Sequence, residues 1–212
     1  MEMISENSTL FTIGHSGHQM SAFTALLNQH RIDIVADVRS QPYSKFHPQF
    51  NRETLAEALI PAGVKYLFMG RSLGARREEP ESYRINEYGK QARYDLICKL
   101  ATFREGLDSL RRGLRSHRIA LMCAEKDPLT CHRSILICHQ LRSDSIDIQH
   151  ILEDGSLETT SQAERRLLNL LKLHPSLFQD HAELIEQAYV MQAEKIAYTE
   201  PFAVPKMSEG AA

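Results

Sequence analysis

The chain has 212 residues, 42% hydrophobic and 25% charged, with 25 Lys and Arg against 27 Asp and Glu. A chain this long buries a real core without staples, and four cysteines are too few for a disulfide framework. The charge balance excludes a global basic field that would advertise nucleic acid, so any anion site must be local.

Met1 to Thr9 lacks the basic and apolar regions of a secretory signal, and no apolar run approaches the roughly 18 residues of a membrane span. These features point to a cytoplasmic protein with no membrane partner. Leu10 to Ile13 reads as a first buried strand stopped by Gly14. A helix capped by Ser21 follows, with Phe23, Leu26 and Leu27 on one face. Ile32 to Ala36 is a second strand, and Ser40 to Phe50 is a loop. Asn51 caps a helix whose apolar face is Leu55, Ala58 and Leu59, and Val64 to Phe68 is a third strand. Gly70 to Gln91 reads as a long irregular loop. Ala92 to Leu114 keeps helical spacing throughout, and Arg118 to Cys123 makes a fourth strand. Arg133 to Leu141 is a helix, and Ile146 to Leu152 is a fifth strand closed by the turn Asp154-Gly155. Ser161 with Glu164 forms a capping box for the next helix, and a last helix runs from Asp180 to Ala197.

Strands that alternate with helices predict an α/β fold: a mostly parallel sheet of about five strands with helices on both faces, plus a C-terminal helical appendage. The expected division is a tail over 1–9, an α/β domain over 10–157 and a helical extension over 158–212.

In such sheets ligands bind beyond the carboxyl ends of the strands, and there the polar residues gather. Strand one leads to His15 and Ser16, strand two to Asp37, Arg39 and Ser44, and strand four to Cys123 and Glu125, then to Cys131, His132 and Arg133. A helix N-terminus beside Arg133 favours a thiolate at Cys131 or a bound anion; in the plainer reading Cys131 is inert and Arg133 pairs with Glu125. Cys123, Glu125, Cys131 and His132 fall within ten residues, and all four residue types ligate zinc. Asp37 and Arg39 read either as an internal ion pair or as an acid/base with an arginine holding a substrate anion. The Arg71, Arg76, Arg77 cluster with Tyr83 and Tyr88 could grip a phosphate or a base, but Glu78, Glu79 and Glu81 dilute it, and it reads as a solvated loop. Cys98 and Cys138 read as packing residues.

Taken together, Thr12 to Ser16, Asp37-Val38-Arg39 with Pro42 and Ser44, Leu73-Gly74, Cys123-Ala124-Glu125, Cys131-His132-Arg133 and His150-Ile151 with Asp154-Gly155 resemble the domain-of-unknown-function family 488. The likeness covers about residues 10–155 and implies the fold and the place of a site, not a reaction.

The expected function is an enzyme, of hydrolase or transferase type, that needs no cofactor and binds an anionic small molecule or nucleic-acid fragment at the strand-end rim. Cys123, Glu125, Cys131, Asp37 and His15 are the catalytic candidates; Ser16, Arg39, Ser44, His132 and Arg133 are the substrate-binding ones. The competing readings are a ligand- or zinc-binding module built on Cys123, Glu125, Cys131 and His132, and a thiol redox protein.

Overall fold

The computed structural model describes residues 8–15, 17–175 and 180–202. Five parallel strands form the centre of a six-stranded sheet: β1 (Ser8–Gly14), β2 (Ile34–Asp37), β3 (Lys65–Phe68), β6 (Ile119–Cys123) and β7 (Ile146–Ile151). The short β8 (Leu157–Thr159) joins antiparallel at one edge, giving the order β3-β2-β6-β1-β7-β8. The expected α/β fold with a mostly parallel sheet is the one observed.

Side-chain alternation along the strands sorts the core into two layers. Phe11, Ile13, Val35, Ala120 and Met122 face α1 (Met20–Gln29) and α2 (Arg52–Leu59), where they meet Phe23, Leu27, Leu55 and Leu59. Leu10, Ala36, Leu121 and Cys123 face the other way. That layer is closed by α5 (Ala101–Gly113), by a helical segment over 133–141, and by α7 (Thr160–Leu171) and α8 (His181–Ile196). The chain from β1 to β2 passes over β6 on one face, and the chain from β6 to β7 passes β1 on the other. The carboxyl ends of β1 and β6 therefore lie at the point where the connections part, the place such sheets leave open for a ligand. Among the described residues no helix is long and apolar enough to cross a membrane.

Several local expectations are corrected. Gly70 to Gln91 is not irregular: it holds α3 (Gly70–Leu73) and a hairpin of β4 (Tyr83–Asn86) and β5 (Gly89–Ala92). A C-terminal strand, β9 (Thr199–Pro201), completes that hairpin as a second, three-stranded sheet. The helix expected over 92–114 is two, α4 (Tyr94–Ile97) and α5, separated at Leu100, whose extended backbone starts the second. The segment after Cys131 begins as a π-helical turn, Arg133–Cys138, before the short α6 (His139–Leu141). The capping box belongs to Thr159 and Gln162, two residues before the expected pair. Asn51 sits at the N-cap of α2, but its side-chain Oδ1 accepts from the Ser44 N–H at 2.7 Å instead of capping.

Gly14 ends β1 directly beneath the loop that leaves β6. A Cβ there would run into the Glu125 carbonyl. Gly14→Ala is expected to cost about 1–3 kcal/mol, the usual range for forced overpacking. Urea unfolding would measure it, and an unchanged midpoint would contradict this close approach.

Candidate functional site

The loop from β6 to the π-helical turn is folded back on the strand that precedes it. Asp127 accepts from the Leu129 N–H at 2.9 Å and starts a 3₁₀ turn over Pro128–Thr130. Arg166 on α7 clamps the Asp127 carboxylate at 2.7 and 2.8 Å and holds Glu158 at 2.9 Å with the same guanidinium. The turn delivers Cys131 in an extended conformation and returns it, with His132, to the end of β6.

Arg133 is what the loop folds around. Its side chain is wholly buried. Nη1 donates to the Glu125 carbonyl at 2.6 Å, Nη2 to the Lys126 carbonyl at 3.0 Å, and Nε to Thr12 Oγ1 at 3.4 Å. Thr12 in turn lies 2.8 Å from His150 Nδ1. Burial and the Arg133 charge push the His150 pKa down to about 3, so its ring is neutral at pH 7.

The result is a knot of sulfur, imidazole and carboxylate. His132 Nε2 donates to the Val38 carbonyl at 3.0 Å, which turns Nδ1 toward the thiols. Nδ1 lies 3.7 Å from Cys123 Sγ and 3.9 Å from Cys131 Sγ. Cys131 Sγ also meets Glu125 Oε2 at 3.0 Å and accepts from the Arg133 N–H at 3.4 Å. Burial works to raise the Cys131 pKa, but the Cys123 thiol, Arg133 and His132 outweigh it and hold the group well below an ordinary thiol. Cys123 is raised by the same hydrogen bond and by burial. Burial, and then the charge on Cys131, raise the Glu125 carboxyl.

A second knot sits beside the first, at the end of β2. Asp37, fully buried, accepts from Arg39 Nε at 2.9 Å, Arg39 Nη2 at 2.6 Å and the Tyr66 hydroxyl at 2.7 Å. Arg39 Nη2 also donates to the Phe50 carbonyl at 2.9 Å, and Nη1 donates to His15 Nε2 at 3.1 Å. His15 stacks on Phe50 with ring centroids 4.4 Å apart. Burial first, and Arg39 second, lower the His15 pKa to about 4. Asp37 and Arg39 thus form the internal ion pair that the sequence allowed.

The two knots border a cavity of about 340 Å³. Cys123, Glu125 and His132 line it from β6, Arg39 from β2. Arg133 lies behind the cluster and does not reach the cavity, so its fork shapes backbone. Cys131, too, is buried and outside the lining. Ser44 is spent on its own loop, where Oγ accepts from the Phe46 and His47 N–H groups at 3.2 Å each. Ser16 lies outside the described residues.

Of the lining residues, Arg76 was set aside in the sequence as part of a solvated loop, and Tyr94 and Tyr198 were not singled out at all. The Arg76 guanidinium lies over the Tyr198 ring at 4.2 Å, and Nη1 donates to Gln41 Oε1 at 3.3 Å. Among the described residues no carboxylate pairs with it. Its neighbour Arg77 has the structural task, gripping the Arg71 and Ser72 carbonyls at 2.7 and 2.9 Å and Glu79 at 2.6 Å.

Two outcomes follow from the second knot. Asp37→Asn leaves Arg39 buried without its counter-charge and is expected to cost about 3–5 kcal/mol in denaturant unfolding. His15 binds its proton in the unfolded chain near pH 6.5 but in the folded one only near 4. Its contribution to stability is complete above pH 6.5 and is lost as pH falls toward about 4. His15→Gln should flatten the stability profile in that window; an unchanged slope would show that His15 is already charged in the folded protein.

A family model described as "Domain of unknown function DUF488" matches residues 19–139, more than half of the chain. The match spans Asp37, Arg39 and the whole loop from Cys123 to Arg133, and stops short of His15 and β7. Searches of the curated proteins and of the solved structures found no match. The length of the family match, over the segments that carry Asp37, Arg39 and the Cys123 to Arg133 loop, shows that the chain belongs to the DUF488 family.

Proposed function

We propose that the strand-end cavity is the active site of a hydrolase- or transferase-type enzyme that takes a small anionic substrate with a planar part, such as a nucleotide or nucleic-acid fragment. One observation carries the reading. The floor of the cavity is a cluster of groups able to do chemistry, Cys123, Glu125 and His132, and its wall holds an arginine stacked on a tyrosine, with no carboxylate partner among the described residues.

Each group then has a task. Arg76 takes the anion, because Arg39 and Arg133 are committed within the protein. Tyr94 and Tyr198 offer ring faces to a planar group. Glu125 moves a proton at the floor, and the Cys123/Cys131 pair is the reactive centre behind it. Asp37 and His15 are positioning residues that fix Arg39. In this reading the 10–157 unit carries the chemistry, and the 158–212 extension contributes the Ile196 and Tyr198 side of the wall. Four free thiols suit a reducing compartment, and we place the protein in the cytoplasm.

The test uses adenosine 5′-monophosphate and inorganic phosphate as probes in calorimetric titration. Loss of one charge-assisted contact is worth about 1.5–3 kcal/mol, so Arg76→Ala should weaken nucleotide binding by about tenfold or more with an unchanged melting temperature. If neither probe binds, or if Arg76→Ala leaves binding as it was, the anion reading fails.

A further inference from the structure

The thiols and the imidazole of the first knot are arranged as ligands. We propose that Cys123 Sγ, Cys131 Sγ and His132 Nδ1 bind one zinc-class divalent cation, with a fourth coordination position open to the cavity. This deepens the reading above, since the metal would be that cavity's reactive centre, and it rests on that reading only for the identity of what enters the open position.

Distance is the first argument. The three ligand atoms lie within 4.8 Å of one another. Zinc bonds of about 2.3 Å to sulfur and about 2.0–2.1 Å to nitrogen, at a tetrahedral angle, put S and N about 3.6 Å apart. The observed separations are 3.7 and 3.9 Å. Both sulfurs therefore already stand within a few tenths of an ångström of the separation from the imidazole nitrogen that a shared zinc ion requires.

The surroundings are the second argument. Ligand histidines donate their other ring N–H to a carbonyl or carboxylate, which fixes the tautomer and the ring plane. His132 does so to Val38. A backbone N–H from Arg133 supports the Cys131 sulfur. Soft thiolates with an imidazole select zinc over calcium or magnesium, which take oxygen ligands. All three ligands are buried, and the cavity reaches two of them, Cys123 and His132. Three protein ligands with one open position is the arrangement of catalytic zinc.

Charge is the third. In the bound state both sulfurs are thiolates and His132 is neutral, so metal binding displaces the protons these ligands hold. Two thiolates and the Glu125 carboxylate then carry three negative charges, against three positive from the divalent ion and the buried Arg133. The site closes at zero. Glu125, 3.0 Å from Cys131 Sγ, stands where it can accept a proton from a water on the metal.

The experiment takes the full chain, strips it with EDTA, and titrates Zn²⁺ against a chromophoric chelator and Co²⁺ by absorption. One equivalent of Zn²⁺ per chain is expected, with a thiolate-to-cobalt charge-transfer band for Co²⁺. Cys131→Ser and His132→Asn should each weaken Zn²⁺ by at least ~100-fold, the upper end for losing a mere supporting contact, while Cys98→Ser should not. Circular dichroism checks that each variant is folded. The wild-type cobalt spectrum needs no variant: without the charge-transfer band the proposal is overturned. Equal Zn²⁺ affinity in folded Cys131→Ser overturns it too. Adenosine 5′-monophosphate binding with no Zn²⁺ uptake removes the metal and leaves the anion cavity. One equivalent of Zn²⁺ with no nucleotide binding does the reverse.

Discussion

A full positive charge on Arg133 sits where no water reaches it. Burying an ion this way costs several kcal/mol unless every donor is met. The chain meets it with the carbonyls of Glu125 and Lys126 and with Thr12, which obliges the loop after β6 to curl around the guanidinium. That curl sets Cys131 and His132 against Cys123. Lysine at this position would keep the charge but could not bridge two carbonyls with a planar fork. The site is thus a by-product of solving a burial problem, and its precision comes from the fork's fixed geometry.

The second knot answers the same problem differently, with a carboxylate in place of carbonyls. Asp37 neutralises Arg39 from two residues away, and both stay on the end of one strand. Val38 lies between the knots. Its N–H donates to the Met122 carbonyl at 3.1 Å and its own carbonyl accepts from His132. The two clusters are therefore riveted through the backbone of one residue. Two arginines near the rim are immobilised by the protein itself, and Arg76, carried by a separate segment, supplies the adaptable cation.

The parallel sheet was legible because buried strands read as short apolar runs, and their ends could be read from where polarity returns. What could not be read was orientation. Cys131, His132 and Arg133 are consecutive, yet one faces Glu125, one faces Val38 and one points inward to Thr12; the π-helical turn that fixes these directions leaves no spacing signal. The β4–β5 hairpin was missed because Tyr83 to Asn86 alternates over only four residues, Gly89 to Ala92 does not alternate, and the pairing is completed by β9 from the far end of the chain. The break at Leu100 was invisible because Ile97 and Phe103 stay in phase across it, both buried in one layer. Two overlapping capping boxes, Thr159–Gln162 and Ser161–Glu164, satisfy the same sequence pattern, and only the strand that precedes the helix chooses between them. Arg76 hid among charged neighbours, since nothing in the sequence separates it from Arg77.

Tyr198 forms part of the cavity wall, and it immediately precedes a strand of only three residues, β9, paired to the edge of a small sheet. The Ala92 N–H donates to the Tyr198 carbonyl at 2.8 Å, continuing that pairing by one rung. Peeling so short an edge exposes little apolar surface and costs much less than opening the main sheet. The Tyr198 wall and the floor of the cavity therefore belong to parts of the molecule with different local stabilities. The wall can fray at β9 while the thiols, the imidazole and the buried arginines keep their places.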